Sequence, residues 1–313
     1  MTLTAEPDTT VRPWRFFVTE VRRVERISPS FLRVTLTGDD LDRFASTGYD
    51  QRFKLIPPLP ETGFDTLPKG PDWYGEWRAL PEAQRNPIRT YTIREVRPDL
   101  REVDVDMVLH GDHGPASRWA LTARPGSRIA LLGPNADHPG PHGGYDFRPP
   151  AHADFLLLGG DETAAPAIAA ILAKLPADAR GEAFIEVPET GDHFAVTAPA
   201  GVTVTWLPRD GAAHGTYLIP AVEDATARIL GDSQVATAPA TIEDVDVDHG
   251  LLWEVPVDAT GAPLTDASRL YAWLAGEAAV IKTLRRHLVT GCGVDRRAVA
   301  FMGYWRLGRA EGS

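Results

Sequence analysis

The chain is predicted to fold as β followed by α/β: an N-terminal antiparallel Greek-key β-barrel, then an α/β domain built on a mostly parallel sheet. Three observations carry this. Short strands with alternating polarity fill the first half, as in 31–37, where Leu32, Val34 and Leu36 alternate with Arg33 and Thr35. Past Ala153 the pattern changes: Phe155 to Leu158 is a continuous apolar run, typical of a strand buried on both faces, and it leads through Gly159 and Gly160 into a helix at 168–174. The length of 313 residues suits about two domains. The aperiodic, proline- and glycine-rich run 135–150 reads as the linker between them, which sets the domains at 13–150 and 151–313.

In order, residues 1–12 are polar and expected to be loose. Strands follow at 15–24, 31–37 and 51–56, the last closed by Pro57 and Pro58. Residues 57–88 read as a long loop with a helix at 73–83; its aromatics Trp73, Tyr74 and Trp77 line a ligand mouth or, the preferred reading, pin the loop to the barrel. Strands at 89–96, 103–109 and 128–132 complete a set of six. In the second half, strands are expected at 182–187, 202–206, 270–274 and 298–302, and helices near 216–230 and 277–290. Residues 231–268, rich in Asp, Ala, Thr and Pro, read as an insertion.

Composition narrows the chemistry. The formal net charge of −11 argues against nucleic acid as a partner. Cys292 is the single cysteine, so no disulfide, Cys-x-x-Cys zinc site or iron–sulfur cluster forms within one chain, and redox chemistry has to come from a bound cofactor. The start lacks a basic stretch followed by an apolar one, and no apolar run approaches the roughly 20 residues of a membrane span, so a soluble, cytoplasmic monomer is expected. No metal centre is expected. His110 with His113, and His138 with His142, sit in loops without thiol or carboxylate spacing. The acidic run 244–250 has its glycine one place late for a calcium loop, with Val255 where the bidentate glutamate belongs.

The chemistry concentrates in residues 89–94. On a strand, Arg89, Tyr91 and Ile93 face one way and Thr90, Thr92 and Arg94 the other, so a cation, a flat ring and a hydroxyl lie close together. A flavin dinucleotide needs that set: a guanidinium for the diphosphate, an aromatic face over the ring and a hydroxyl for its polar edge. Gly114 lets the backbone approach closely, and the N–H groups of Ala116 and Ser117 open a short helix whose positive end suits phosphate. Gly159 to Pro166 is a strand-to-helix turn, generic by itself and not the Gly-x-Gly-x-x-Gly fingerprint.

Taken in order, Arg89-Thr-Tyr-Thr-Ile-Arg94, Val108-Leu-His-Gly111, Gly114-Pro-Ala-Ser-Arg-Trp119, Gly159-Gly-Asp-Glu-Thr-Ala164, Ala275-Gly-Glu277 and Gly303-Tyr-Trp-Arg306 resemble the siderophore-interacting proteins, FAD-containing ferric-siderophore reductases of the ferredoxin-reductase superfamily. The resemblance spans nearly the whole chain. It implies an FAD-binding barrel and an NAD(P)H-binding α/β domain, with reduced nicotinamide giving hydride to FAD and the flavin passing single electrons to ferric iron in a siderophore. It implies that Arg89 and Ser117 hold the diphosphate, Tyr91 covers the ring and Thr92 bonds near N5. Arg94, His110, Gly114, Ala116, Trp119, Asp161, Thr163 and Ala164 also border FAD. Gly276, Glu277 and Trp305 border the nicotinamide; the competing explanation for Glu277 is an acidic helix start. Ala275 stands where ferredoxin reductases carry cysteine, whose role is therefore not carried over. Glu186 sits where a dinucleotide fold meets the adenosine ribose, and with Glu189 and Asp192 it disfavours a 2′-phosphate, hence NADH over NADPH; solvated loop acids would look the same. Lys54, beside the cofactor in the family, and Arg306 are the candidates for attracting an anionic iron chelate.

Overall fold

The computed structural model describes residues 11–46, 48–109, 114–231, 252–264 and 269–308. The first half holds β1 (Trp14–Ser28), β2 (Phe31–Thr37), β3 (Arg52–Ile56), α1 (Trp73–Ala79), β4 (Arg89–Thr92), β5 (Glu95–Arg97), β6 (Glu102–Val108), α2 (Pro115–Thr122) and β7 (Arg128–Pro134). The strands form one antiparallel sheet in the order β4-β3-β7-β1-β2-β6-β5. Its two edges are joined by the chain itself. Between β4 and β5, Ile93 N donates to Gln51 O next to β3 and Arg94 N donates to Asp104 O on β6, so the sheet curls into a barrel around Phe17, Phe44, Phe53, Val103 and Val105. That crossing splits the single strand expected at 89–96 into two.

Alternation correctly placed Val103, Val105 and Met107 in the core, but the other face of β6 is not wet. Glu102, Asp104 and Asp106 are buried there by cations on neighbouring strands. Arg33 forks onto Asp106 at 2.7 and 2.8 Å, Arg97 bridges Glu102 and Asp104, and Thr35 donates to Asp104. The loop after β3 is pinned, as preferred from its sequence. Trp77 is buried and donates to Asn86 O, while the Asn86 amide donates to the carbonyls of Pro57 and Gly63.

The second half holds β8 (Phe155–Gly160), α3 (Ala165–Leu172), β9 (Arg180–Val187), β10 (Gly201–Pro208), α4 (Leu218–Leu230), β11 (Trp253–Glu254), β12 (Leu270–Glu277), α5 (Ala278–Arg285) and β13 (Val299–Trp305). The order is β10-β9-β8-β12-β13-β11, parallel throughout except for β11 at one edge. Much of the 231–268 insertion lies outside the described residues; β11 belongs to its described part. Strand order reverses between β8 and β12, which is where an open α/β sheet offers a ligand crevice.

The run 135–150 is tightly held. The buried Asp50 carboxylate accepts from Asp146 N and Phe147 N, and Phe147 packs with Tyr271 in a core shared by residues of both sheets. A second tie is Asp192, which accepts from Ser28 Oγ at 3.0 Å and Ser30 N at 2.6 Å. Asp192→Ala is expected to cost about 1–3 kcal/mol, the penalty for stranding such donors, and a calorimetric melt of the full chain reads it directly.

Candidate functional site

Two groups of side chains converge on the boundary between the sheets. The first lies on β3 and β4, paired so that Arg52 faces Thr92 and Lys54 faces Thr90. Arg89 and Tyr91 are half-buried, Thr92 is buried, and Lys54 Nζ donates to Thr90 Oγ1 at 2.7 Å. Arg94 is held between the strands, 3.8 Å from Asp106, and its Nη1 is buried without a hydrogen bond. Burial pulls its pKa below the usual guanidinium range. A desolvated cation with a spare donor favours an anion at this place. Helix α2 brings the complement, since both β4 and α2 pack against β6. Gly114 sits at φ +91° with open space where a Cβ would be, and no side chain caps the helix start at Ala116 and Ser117. An FAD diphosphate fits this set: a buried guanidinium, uncapped backbone donors and an unobstructed glycine. Trp119 instead donates to Arg128 O and packs on the barrel core, a structural position. His110 lies outside the described residues.

The second group lies at the reversal point of the parallel sheet. Asp161, just past β8, is buried and accepts four hydrogen bonds: Thr163 N and Oγ1 on Oδ1, and Glu277 N (2.7 Å) and Trp305 Nε1 (2.8 Å) on Oδ2. Residues from three strand ends thus meet on one carboxylate. Gly276 makes the approach possible. Its φ is +147°, and a Cβ there would lie 2.7 Å from Asp161 Oδ2. Burial first, and the adjacent Glu162 charge second, push the Asp161 carboxyl up to about 6. Glu162 is in turn forked by Arg209 at 2.7 and 3.0 Å, both side chains buried. Ala164 is buried at the foot of α3, where Gly160 leaves it room: a Cβ at Gly160 would stand 2.5 Å from that of Ala164.

Two expected ligand residues turn out to serve the fold. The Glu186 carboxylate is fully buried and accepts from Gly215 N, Tyr217 N and Leu218 N, so it caps α4 and does not face a ribose. Asp192 accepts from Ser28 and Ser30 and shares a capping box with Glu189, so both carboxylates are engaged in local structure. The Glu277 side chain is the N-cap of α5, accepting from Ala279 N and Val280 N, as its competing explanation held; its backbone N–H remains part of the Asp161 cluster.

Arg52 and Trp253, which join the two groups, carry no local signal in the sequence. Arg52 pairs with Asp146 at 2.8 Å and lies over the Trp253 ring, which also donates its N–H to Asp146 and stacks on Tyr304 at 5.6 Å with an interplanar angle of 17°. Tyr304 is followed by Trp305, and the chain Thr92–Arg52–Trp253–Tyr304–Trp305–Asp161 therefore runs unbroken from barrel to parallel sheet. His214, from the loop before α4, meets Trp305 edge-on at 4.8 Å, and its Nδ1 is buried without a partner. Only the folded loop brings His214 here; no local spacing signals it. Arg306 is half-buried just beyond β13.

Comparison with known proteins accounts for both halves. Residues 20–138 match the siderophore-interacting FAD-binding domain and residues 153–308 the siderophore-interacting protein model. The ferric vibriobactin reductase ViuB of Vibrio cholerae is 30% identical over 289 residues, covering 92% of this chain and 89% of its own. The chain belongs to the siderophore-interacting protein family. Another relative, the NADPH-dependent ferric-chelate reductase of Escherichia coli, is 33% identical over 71% of this chain and 84% of its own. The crystal structure of a siderophore utilization protein from T. fusca superimposes with a TM-score of 0.69 at 32% identity, covering 96% of each chain. Among the described residues no helix is long and apolar enough to cross a membrane.

Proposed function

We propose that this siderophore-interacting protein is an FAD-dependent ferric-siderophore reductase driven by NAD(P)H. The observation that carries the reading is the pairing in one molecule of a cationic, uncapped cradle on the barrel with a strand-order reversal in the parallel sheet, the place where such sheets hold nucleotides. Residues 13–150 would hold the flavin and 151–313 the nucleotide. When bound, FAD supplies the exchange between a two-electron donor and a one-electron acceptor. The chain's part is positional. Arg89, Arg94 and the start of α2 hold the diphosphate, Tyr91 covers the ring, Thr92 bonds its polar edge, and Thr163, Gly276 and Trp305 border the nicotinamide. Lys54 and Arg306 attract the iron chelate, whose oxygen ligands hold ferrous iron less tightly than ferric. The nucleotide is NADH or NADPH: Glu186 caps α4 and does not select between the two. With no membrane-crossing helix among the described residues, we place the protein in the cytoplasm, acting on imported siderophore as its small-molecule partner.

The test is anaerobic mixing of the FAD-loaded protein with NADH or NADPH, followed by ferric siderophores of differing charge. Bleaching of the flavin and its return on adding the chelate are expected. Failure to bleach with either nucleotide, while siderophore still binds, would identify a binding protein instead. Lys54→Ala should slow re-oxidation by anionic chelates more than by neutral ones, by roughly the worth of one exposed charge, a few-fold; equal slowing removes Lys54 from the substrate site.

A further inference from the structure

We propose that Asp161 is a positioning residue for the nicotinamide nucleotide: its Oδ2 pins the Trp305 indole across the end of β12, and that bond sets how tightly the nucleotide is held. The inference rests on the reductase reading and deepens its nucleotide side.

Trp305 leaves the parallel sheet beside Glu277, its partner in register, yet its indole N–H reaches past β12 to a carboxylate on the turn after β8. The ring therefore lies over the point where strand order reverses, the crevice in which such sheets hold nucleotides. It is fixed from two sides. Asp161 takes its N–H at 2.8 Å, and His214 meets it edge-on, with ring centroids 4.8 Å apart. The same Oδ2 takes Glu277 N, which ties the indole to the start of α5, the helix at the nucleotide crevice. Ordering a tryptophan side chain at a strand end costs about 1 kcal/mol or more in rotamer freedom. Holding it in advance by a buried charged acceptor spares the nucleotide that cost.

The arrangement uses an acceptor that no neutral side chain replaces. Both Asp161 oxygens receive two donors each, and an asparagine would turn an NH2 group toward one of these pairs. The surrounding charged and titratable groups are Glu162 with Arg209, Glu186 capping α4, Glu277 capping α5, and His214, a ring nitrogen of which lies within 4.8 Å of both the Asp161 and the Glu162 carboxylates. The carboxyl titrates at about 6, so acid adds a proton to one oxygen and removes an acceptor. Nucleotide affinity should therefore weaken as pH falls through that value.

Calorimetric titration of FAD-loaded protein with NAD+ and NADP+ tests this without turnover. Trp305→Phe removes the indole N–H together with the pyrrole ring that carries it but keeps an aromatic face, so it should fold even where an Asp161 variant does not, and the double variant separates the bond from the lost ring area. We expect Trp305→Phe and Asp161→Asn each to weaken the preferred nucleotide roughly tenfold, the scale of one hydrogen bond to a charged group. The double variant should lose little more than either single one, and the decline of affinity near pH 6 should vanish in Asp161→Asn. Unchanged affinity in Trp305→Phe, or effects that multiply in the double variant, overturns the proposal while leaving the reductase reading intact. If the wild-type protein binds neither nucleotide, both fall; if it binds but its flavin is never bleached by the reduced form, only the reductase reading falls.

Discussion

Glu186→Ala is expected to destabilise the protein by about 3–5 kcal/mol, the range for removing one partner from a buried charge network. The carboxylate is fully buried, receives three backbone N–H groups at 2.8, 3.0 and 3.1 Å, and stands 3.5 Å from Arg209. Its loss strands the donors that start α4 and leaves Arg209 with Glu162 alone beneath the nucleotide crevice. For a chain of this size the melting temperature should drop by roughly 5–8 °C. Glu186→Gln, which keeps one acceptor, should fall between. A variant that melts like wild type but switches between NADH and NADPH would restore the ribose role that the burial of Glu186 argues against.

Arg94→Ala is expected to weaken FAD binding by about 10- to 100-fold, the loss of a charge-assisted hydrogen bond from a desolvated guanidinium. Its effect on the barrel should be small, because Asp106 keeps both bonds to Arg33. That separation makes the prediction sharp. Flavin-free Arg94→Ala should melt close to flavin-free wild type, yet need far more FAD to quench flavin fluorescence. Equal FAD affinity would mean that the buried Nη1 faces something other than the diphosphate. Lysine at 94 should recover only part of the affinity, since an ammonium lacks the planar fork.

What the sequence exposes and what it hides follow from how local each signal is. The barrel and the parallel sheet were readable because alternation, apolar runs and glycine turns are written within about ten residues. The motif 89–94 was readable for the same reason, as was the competing reading of Glu277 as a helix cap. Glu186 was misread because its partners arrive from residues 215–218, and no periodicity couples an acid at a strand end to a loop some thirty positions later. Trp305 and Asp161 are 144 positions apart, and their bond exists only because β8, β12 and β13 are neighbours in the sheet. The acids of β6 followed the alternation rule and still ended buried, since Arg33 and Arg97 cover them from adjacent strands. The split of β4 from β5 depends on closing the barrel, a property of the whole sheet.

The central claim is that one flavin, cradled between barrel and parallel sheet, carries electrons from reduced nicotinamide to siderophore-bound iron. Its most direct measure is an anaerobic count of ferrous iron, trapped by a colorimetric chelator, against nucleotide consumed by the FAD-loaded protein. The account predicts two ferrous ions for each NADH or NADPH oxidised, and none from protein stripped of FAD. Nucleotide oxidation that leaves the iron ferric, or iron release that proceeds equally without flavin, would contradict it.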